Sequence, residues 1–224
     1  MRPAWTESLG SDILIVDIDT RAPDGDNGIF AREKINWETL NAHQANGVLS
    51  ATFMNHFMYS QIHGYDYKYY NAHRMEGHHD TWIKPHVLYE LLHSYRFVVF
   101  IDADAIIQHM EVPLEWLFNR WGITPTTSVA MPLDVTTSEN GDDNHSCDSK
   151  GRLVLNTGFI VSQALPHTFE MLEAWKECTT EIRYLGCGFW KEQWSHEQRA
   201  FSEFIRYDYN PHGDNIVVRL SHSI

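Results

Sequence analysis

No stretch of this sequence approaches about 20 consecutive apolar residues, so no membrane-spanning helix is expected, and no basic-then-apolar signal pattern follows Met1. The chain reads as soluble, with no direct membrane insertion. Basic residues are also scarce: 17 Lys and Arg stand against 30 Asp and Glu, a net charge of −13. Neutralising phosphates takes clustered Lys and Arg, so no nucleic acid partner is expected. The three cysteines, Cys147, Cys178 and Cys187, are too few for a disulfide framework, and their spacing fits no zinc site. Cys178 and Cys187 either pair in an oxidising compartment or stay as buried thiols. The 14 histidines scatter without a His-x-x-x-His pair. Repeats, linkers and low-complexity tracts are absent, so 224 residues that are 43% hydrophobic read as a single domain, 1–224.

What the chain does contain is the run from Phe97 to Ile107, rich in Val, Ile and Phe. Such a run predicts a strand buried on both faces, the kind found in mostly parallel sheets. It ends in Asp102 and Asp104. A buried carboxylate is costly unless paired or bound to a cation, and a divalent metal is the candidate partner. The bland alternative is two Asp that reach solvent or cap the next helix.

Ile13–Val16 is a second apolar run ending in carboxylates, Asp17 and Asp19, before a loop rich in Gly, Pro, Asp and Asn. A helical pattern follows over Trp37–Ile62, an aromatic strand over Tyr65–Tyr70, and a helix over Thr81–His93 with Thr81 as its cap. Beyond the central run come a short helix at Pro113–Trp121, a strand at Ser128–Met131, and a polar surface loop over Asp134–Gly151 that includes the sequon Asn144-His145-Ser146. Leu153–Val161 reads as two half-strands broken by Asn156-Thr157-Gly158; a glycine there marks a bulge or a close approach. Helices over Phe169–Thr180 and Trp194–Arg206, the latter capped by Ser195, and a strand over Ile216–Leu220 complete the chain. Strands alternating with helices imply an α/β sheet with right-handed crossovers.

Acidic strand ends in an open α/β sheet sit at the carboxyl edge, where ligands bind. Oxygen ligands without Cys select Mg²⁺ or Mn²⁺, typically bridging to substrate phosphates. Two enzyme classes use such a site. One is phosphoryl transfer of the haloacid-dehalogenase type, with Asp17 as nucleophile, although Arg21 stands where that pattern wants Thr or Val. The other is glycosyl transfer from a nucleotide-diphosphate sugar, the cation offsetting charge on the departing nucleotide. A catalytically inactive nucleotide-sugar or glycan binding module is the third reading.

Six segments carry a resemblance. Asn55-His56-Phe57-Met58-Tyr59, His63-Gly64-Tyr65, Trp82-Ile83-Lys84-Pro85, Phe100-Ile101-Asp102-Ala103-Asp104-Ala105, Asn156-Thr157-Gly158-Phe159 and Trp194-Ser195-His196-Glu197-Gln198 resemble glycosyltransferase family 34 in order and spacing. That family holds fungal Golgi α-galactosyl- and α-mannosyltransferases and plant xyloglucan xylosyltransferases. The resemblance implies a GT-A fold, a Rossmann-like open mixed sheet that is mainly parallel and flanked by helices. It also implies retaining transfer of a hexosyl or pentosyl unit from a UDP- or GDP-sugar to a saccharide acceptor, with Mn²⁺ or Mg²⁺.

By this resemblance Asp102, Asp104 and His222 are the expected metal ligands, with His212 as a rival to His222, and Asp17 and Asp19 hold no metal. Asp17, Tyr59, Lys84, Asp102 and Gly158 are candidates for the nucleotide sugar: Tyr59 stacking on the base, Lys84 on a phosphate, Gly158 lining the sugar pocket. Asn156, Glu197 and Gln198 are the catalytic candidates, and Trp190 and Trp194 form a candidate acceptor platform. Family members normally carry an N-terminal membrane anchor, and a Golgi or secretory lumen is the implied location; this chain shows no anchor and stops just after His222.

Overall fold

A computed structural model describes residues 3–23, 29, 48–134, 147–213 and 215–217. Six strands, β1 (Ile13–Asp19), β2 (Asp66–Asn71), β3 (Phe97–Ile101), β4 (Val129–Ala130), β5 (Phe159–Gln163) and β6 (Ile216–Val217), form one sheet in the order β2-β1-β3-β5-β4-β6. β1 pairs in parallel with both β2 and β3, β5 runs antiparallel to β3 and β4, and β6 is parallel to β4. The sheet is thus mixed and mostly parallel, as expected. Six α-helices among the described residues complete the frame: α1 (Val48–His63), α2 (Ile83–Leu91), α3 (Leu114–Trp121), α4 (Pro166–Lys176), α5 (His196–Ala200) and α6 (Arg206–Tyr209), the last two joined by a π-helical turn at Phe201–Ile205.

Chain direction explains where the helices lie. The chain moves from β1 outward to β2, then crosses back over β1 to β3, so two right-handed crossovers place α1 and α2 on opposite faces. Strand alternation divides the core accordingly. Leu14, Val16, Val98 and Phe100 face a layer containing Trp82, Leu88, Trp175 and Phe201. Ile13, Ile15, Phe97, Val99 and Ile101 face Tyr59, Phe118 and Trp121. Both faces are covered, which is why β1 and β3 needed unbroken apolar runs rather than alternation.

Several expectations require adjustment. β1 runs on through Asp19, so Asp17 and Asp19 lie within the strand rather than after it. The predicted helix over Trp37–Ile62 is described only from Val48, its earlier part lying outside the described residues. Thr81 does not cap the next helix: a 3₁₀ turn (Asp80–Trp82) comes first, and the His79 side chain accepts from the Thr81 amide. Ser195 occupies the position before α5 without making a side-chain cap bond. Gly122, with φ of 78°, ends α3 in the left-handed conformation that glycine adopts without strain.

Cys178 and Cys187 are joined by a disulfide, deciding the alternative the sequence left open. The bridge closes a short loop carrying Ile182 and Leu185, which are 90% and 85% exposed and contribute little packing of their own. Cross-linking a loop of this size is worth about 2–3 kcal/mol on a chain-entropy estimate. Replacing both cysteines with serine is therefore expected to lower stability by roughly that amount, measured as a shift in the urea midpoint. Wild-type protein treated with reductant should fall to the same midpoint.

Candidate active site

The register of β3 against β5 builds the site. Ile101 pairs with Phe159, and the next bond runs from the Asp102 amide to the Gly158 carbonyl at 2.7 Å. The end of the buried strand is thereby fixed beside Asn156-Thr157-Gly158. A Cβ on Gly158 would lie 2.9 Å from Asp102 Oδ2 and 2.8 Å from Asn156 Oδ1. The glycine is required by close approach, as a glycine interrupting a strand suggested.

Lys84, from the first turn of α2, reaches under this edge with its ammonium 4.8 Å from the centroid of the Phe100 ring. Its ammonium is 3.1 Å from Asp102 Oδ1 and 3.4 Å from Glu197 Oε1, and it donates to the Thr157 carbonyl at 3.2 Å. Burial by itself would lower the pKa of this ammonium, but Glu197 and then Asp102 outweigh it and hold the group above the ordinary lysine value. Burial likewise pushes the Asp102 carboxyl up, against the downward pull of Lys84. The Lys84–Glu197 pair is almost wholly enclosed, with side chains 8% and 2% exposed, so the pairing keeps both charges tolerable.

Thr157 ties the remaining groups together. Its hydroxyl donates to Glu197 Oε1 at 2.9 Å, its amide donates to Gln198 Oε1 at 2.9 Å, and its carbonyl takes the Lys84 bond. Gln198 Nε2 in turn donates to Asp134 Oδ2 at 3.0 Å, and Asn156 Nδ2 donates to Asp134 Oδ1 at 3.1 Å. A cleft of about 200 Å³ opens over Lys84, Asp102, Asp134, Asn156, Glu197 and Gln198, with Trp194 on its rim. A larger cavity of about 500 Å³ on the outer side of α4 contains none of these groups.

The three catalytic candidates, Asn156, Glu197 and Gln198, are thus brought together with Lys84, Asp102 and Gly158. Asp104 is exposed, two residues beyond the strand end. His222 lies outside the described residues, and His212 is exposed at the far end of the chain. Among the described residues no three His, Cys, Asp or Glu side chains converge as a metal cluster.

Three candidates need correction. Tyr59 is 1% exposed and donates its hydroxyl to the Val112 carbonyl, so it is a core residue with no face free for a base. Asp17 is also 1% exposed, one oxygen meeting His56 Nδ1 at 2.7 Å and the other accepting from Tyr67 at 2.5 Å. So enclosed, it presents no carboxylate oxygen to a nucleotide and none for nucleophilic attack. Lys84 points at two carboxylates rather than outward to a phosphate. The sequence reading missed Asp134, assigned to a surface loop, and Thr157, whose only signal was its place between Asn156 and Gly158.

The sequence profile of the galactosyl transferase GMA12/MNN10 family matches residues 34–222. The chain belongs to that family. It is a glycosyltransferase. Among solved structures, the chain is similar to a glycosyltransferase involved in the glycosylation of the major capsid of PBCV-1, at 13% identity and a TM-score of 0.58, over 92% of this chain and 80% of that one. At that identity the likeness speaks for the fold, which is the GT-A, Rossmann-like arrangement expected. No curated protein matches the chain. No described helix is long and apolar enough to cross a membrane.

In this glycosyltransferase, Lys84→Met should destabilise by about 3–5 kcal/mol, because Glu197 is left as an uncompensated buried charge. Adding Glu197→Gln should recover part of that loss in denaturant titrations, whereas two independent sites would show additive losses. A second expectation concerns His196, whose ring stacks on His79 at 3.6 Å. Burial and then His79 lower its pKa. The unfolded chain therefore takes up this proton first as pH falls below the ordinary histidine value, and stability present above that value is lost on acidification. His196 has φ of 53°, which asparagine tolerates. His196→Asn should show a smaller fall in Tm between pH 7.5 and 5.5 than the wild type.

Proposed function

We propose that this glycosyltransferase is metal-dependent and retaining, moving a hexosyl or pentosyl unit from a nucleotide-diphosphate sugar to a hydroxyl of a saccharide acceptor. The observation that carries the proposal is the junction of the Asp102 strand end with Glu197 through one buried lysine, and with Gln198 through Thr157. It joins a cation-binding edge to a polar cleft of sugar size.

Asp102 and Asp104 supply carboxylate oxygens at the edge of the sheet, the donor type that Mn²⁺ or Mg²⁺ takes when substrate phosphates and water complete its shell. His222 is the further candidate ligand, and an imidazole beside carboxylates favours Mn²⁺. When bound, the cation supplies charge stabilisation for the departing nucleotide diphosphate. The chain's own groups do the rest. Lys84 holds Asp102 by one oxygen, and Gly158 leaves room for the other. Glu197 Oε1 is engaged, while Oε2 is buried with no hydrogen-bond partner among the described residues. A buried carboxylate oxygen beside the cleft suits a sugar hydroxyl or the positive charge that develops on the sugar ring. Asn156 and Gln198, both braced by Asp134, present amides to the sugar. Trp194, 79% exposed on the rim, offers a flat apolar face to the acceptor, while Trp190 is half-buried, its carbonyl bonded to Trp82.

A haloacid-dehalogenase-like phosphohydrolase needs an accessible Asp17, which the enclosure by His56 and Tyr67 denies. An inactive binding module would bind the donor yet cleave nothing. Nucleotide-sugar hydrolysis in the presence of Mn²⁺ separates it from an enzyme.

Asp104 is exposed, so Asp104→Ala should leave Tm unchanged. Groups that merely support metal ligands typically cost 10–100-fold in metal affinity or activity, and loss of a ligand should cost about 100-fold or more in Mn²⁺-dependent turnover. A thermal-shift panel of UDP- and GDP-sugars with and without Mn²⁺ should show stabilisation of the wild type only when both are present. Unchanged turnover and binding in Asp104→Ala would overturn the proposal.

A further inference from the structure

The segment that follows Asp104 is irregular, yet its backbone is not left to solvent. One face of α1 grips it. Asn55 makes a two-way amide pair with Ile107, Nδ2 donating to the Ile107 carbonyl at 3.0 Å and Oδ1 accepting from the Ile107 amide at 2.8 Å. His56 Nε2 meets the Ala105 carbonyl at 2.9 Å, and Tyr59 and His63 bond the carbonyls of Val112 and Met110. Residues 55, 56, 59 and 63 share a helix face by their spacing, so α1 acts as a side-chain template for a stretch of backbone lacking regular partners.

His56 couples this template to β1. Its ring is fully buried, with Nδ1 at Asp17 Oδ1 and Nε2 at Ala105 O. Tyr67, on β2, holds the other Asp17 oxygen. A continuous line of bonds therefore runs from β2 through β1 and α1 to the residue immediately after Asp104. The turn is also closed by the Ala105 amide, which donates to the Asp102 carbonyl at 3.0 Å.

We propose that Asn55 and His56, backed by Asp17, are positioning residues that set the Asp102–Asp104 turn in its cation-binding shape. The inference rests on the reading of Asp102 and Asp104 as cation ligands. It gives Asp17 a task that explains a buried carboxylate away from the cleft: it holds the residue that holds the turn. Geometric tolerance at a metal site is narrow, and supporting groups commonly change affinity 10–100-fold.

Asn55 is half-buried and can be removed without uncovering a charge, so Asn55→Ala is the decisive variant. Asn119→Ala is the control, because Asn119 makes comparable bonds to the backbone of Ala4 and Trp5 far from the turn. Mn²⁺ binding is read directly by loss of the free-ion EPR signal, alongside Mn²⁺-dependent nucleotide-sugar hydrolysis. Asn55→Ala is expected to raise the half-saturating Mn²⁺ concentration about 10-fold or more, with turnover at saturating Mn²⁺ within about threefold of wild type. Asn55→Asp keeps the bond from the Ile107 amide and loses the other, so it should fall between the two. Half-saturation unchanged in Asn55→Ala, or raised equally in Asn119→Ala, would overturn the positioning role while leaving the metal reading intact. Failure of the wild type to bind Mn²⁺ at all would overturn both.

Discussion

The site depends on one buried cation. Lys84 stands between a carboxylate at the end of β3 and a carboxylate at the start of α5, segments more than ninety residues apart in sequence. Glu197 would not sit comfortably at this depth without it, and Glu197 and Asp102 together offset the cost of burying the lysine. Removing the lysine would leave Glu197 as a buried, uncompensated charge. Because Thr157 accepts the same lysine through its carbonyl, the β5 approach is locked into the arrangement as well. The consequence is a base for a polar cleft, built where β3 ends and β5 begins and on the first turns of α2 and α5.

A second kind of order surrounds it. Where β3 ends, regular pairing stops, and the next residues need partners for their amides and carbonyls. Side chains of α1 supply them, with Asp17 and Tyr67 fixing His56 from behind. The two carboxylate-rich strand ends of the sequence thus have different tasks. One faces the cleft, and the other is turned inward to support it.

Much of this was legible in the residues. Unbroken Val, Ile and Phe runs predicted strands covered on both faces, and the alternation of strands with helices predicted the α/β sheet. The Asn-Thr-Gly interruption predicted a close approach, which Gly158 makes to Asp102. The Asp102–Asp104 pair and the Trp-Ser-His-Glu-Gln segment were marked by type and order. Asp134 was not legible, because its neighbours are polar and a strand-end residue bracing two amides looks like the beginning of a loop. Tyr59 and Asp17 were misread for a related reason: spacing shows that a residue lies on a helix face or at a strand end, not which way that face turns.

Composition and pattern alone determined the fold class and marked Asp102, Asp104 and the Asn156-Thr157-Gly158 interruption as places to look, because apolar periodicity and charge at a strand end are local properties of the chain. Tertiary structure alone decided which charges meet. The antiparallel insertion of β5 beside β3 brings residues 156–158 to Asp102, the crossover of α2 delivers Lys84 beneath them, and the return of the chain at α5 adds Glu197. Those encounters are set by strand register and crossover direction, long-range quantities that no local window of sequence contains.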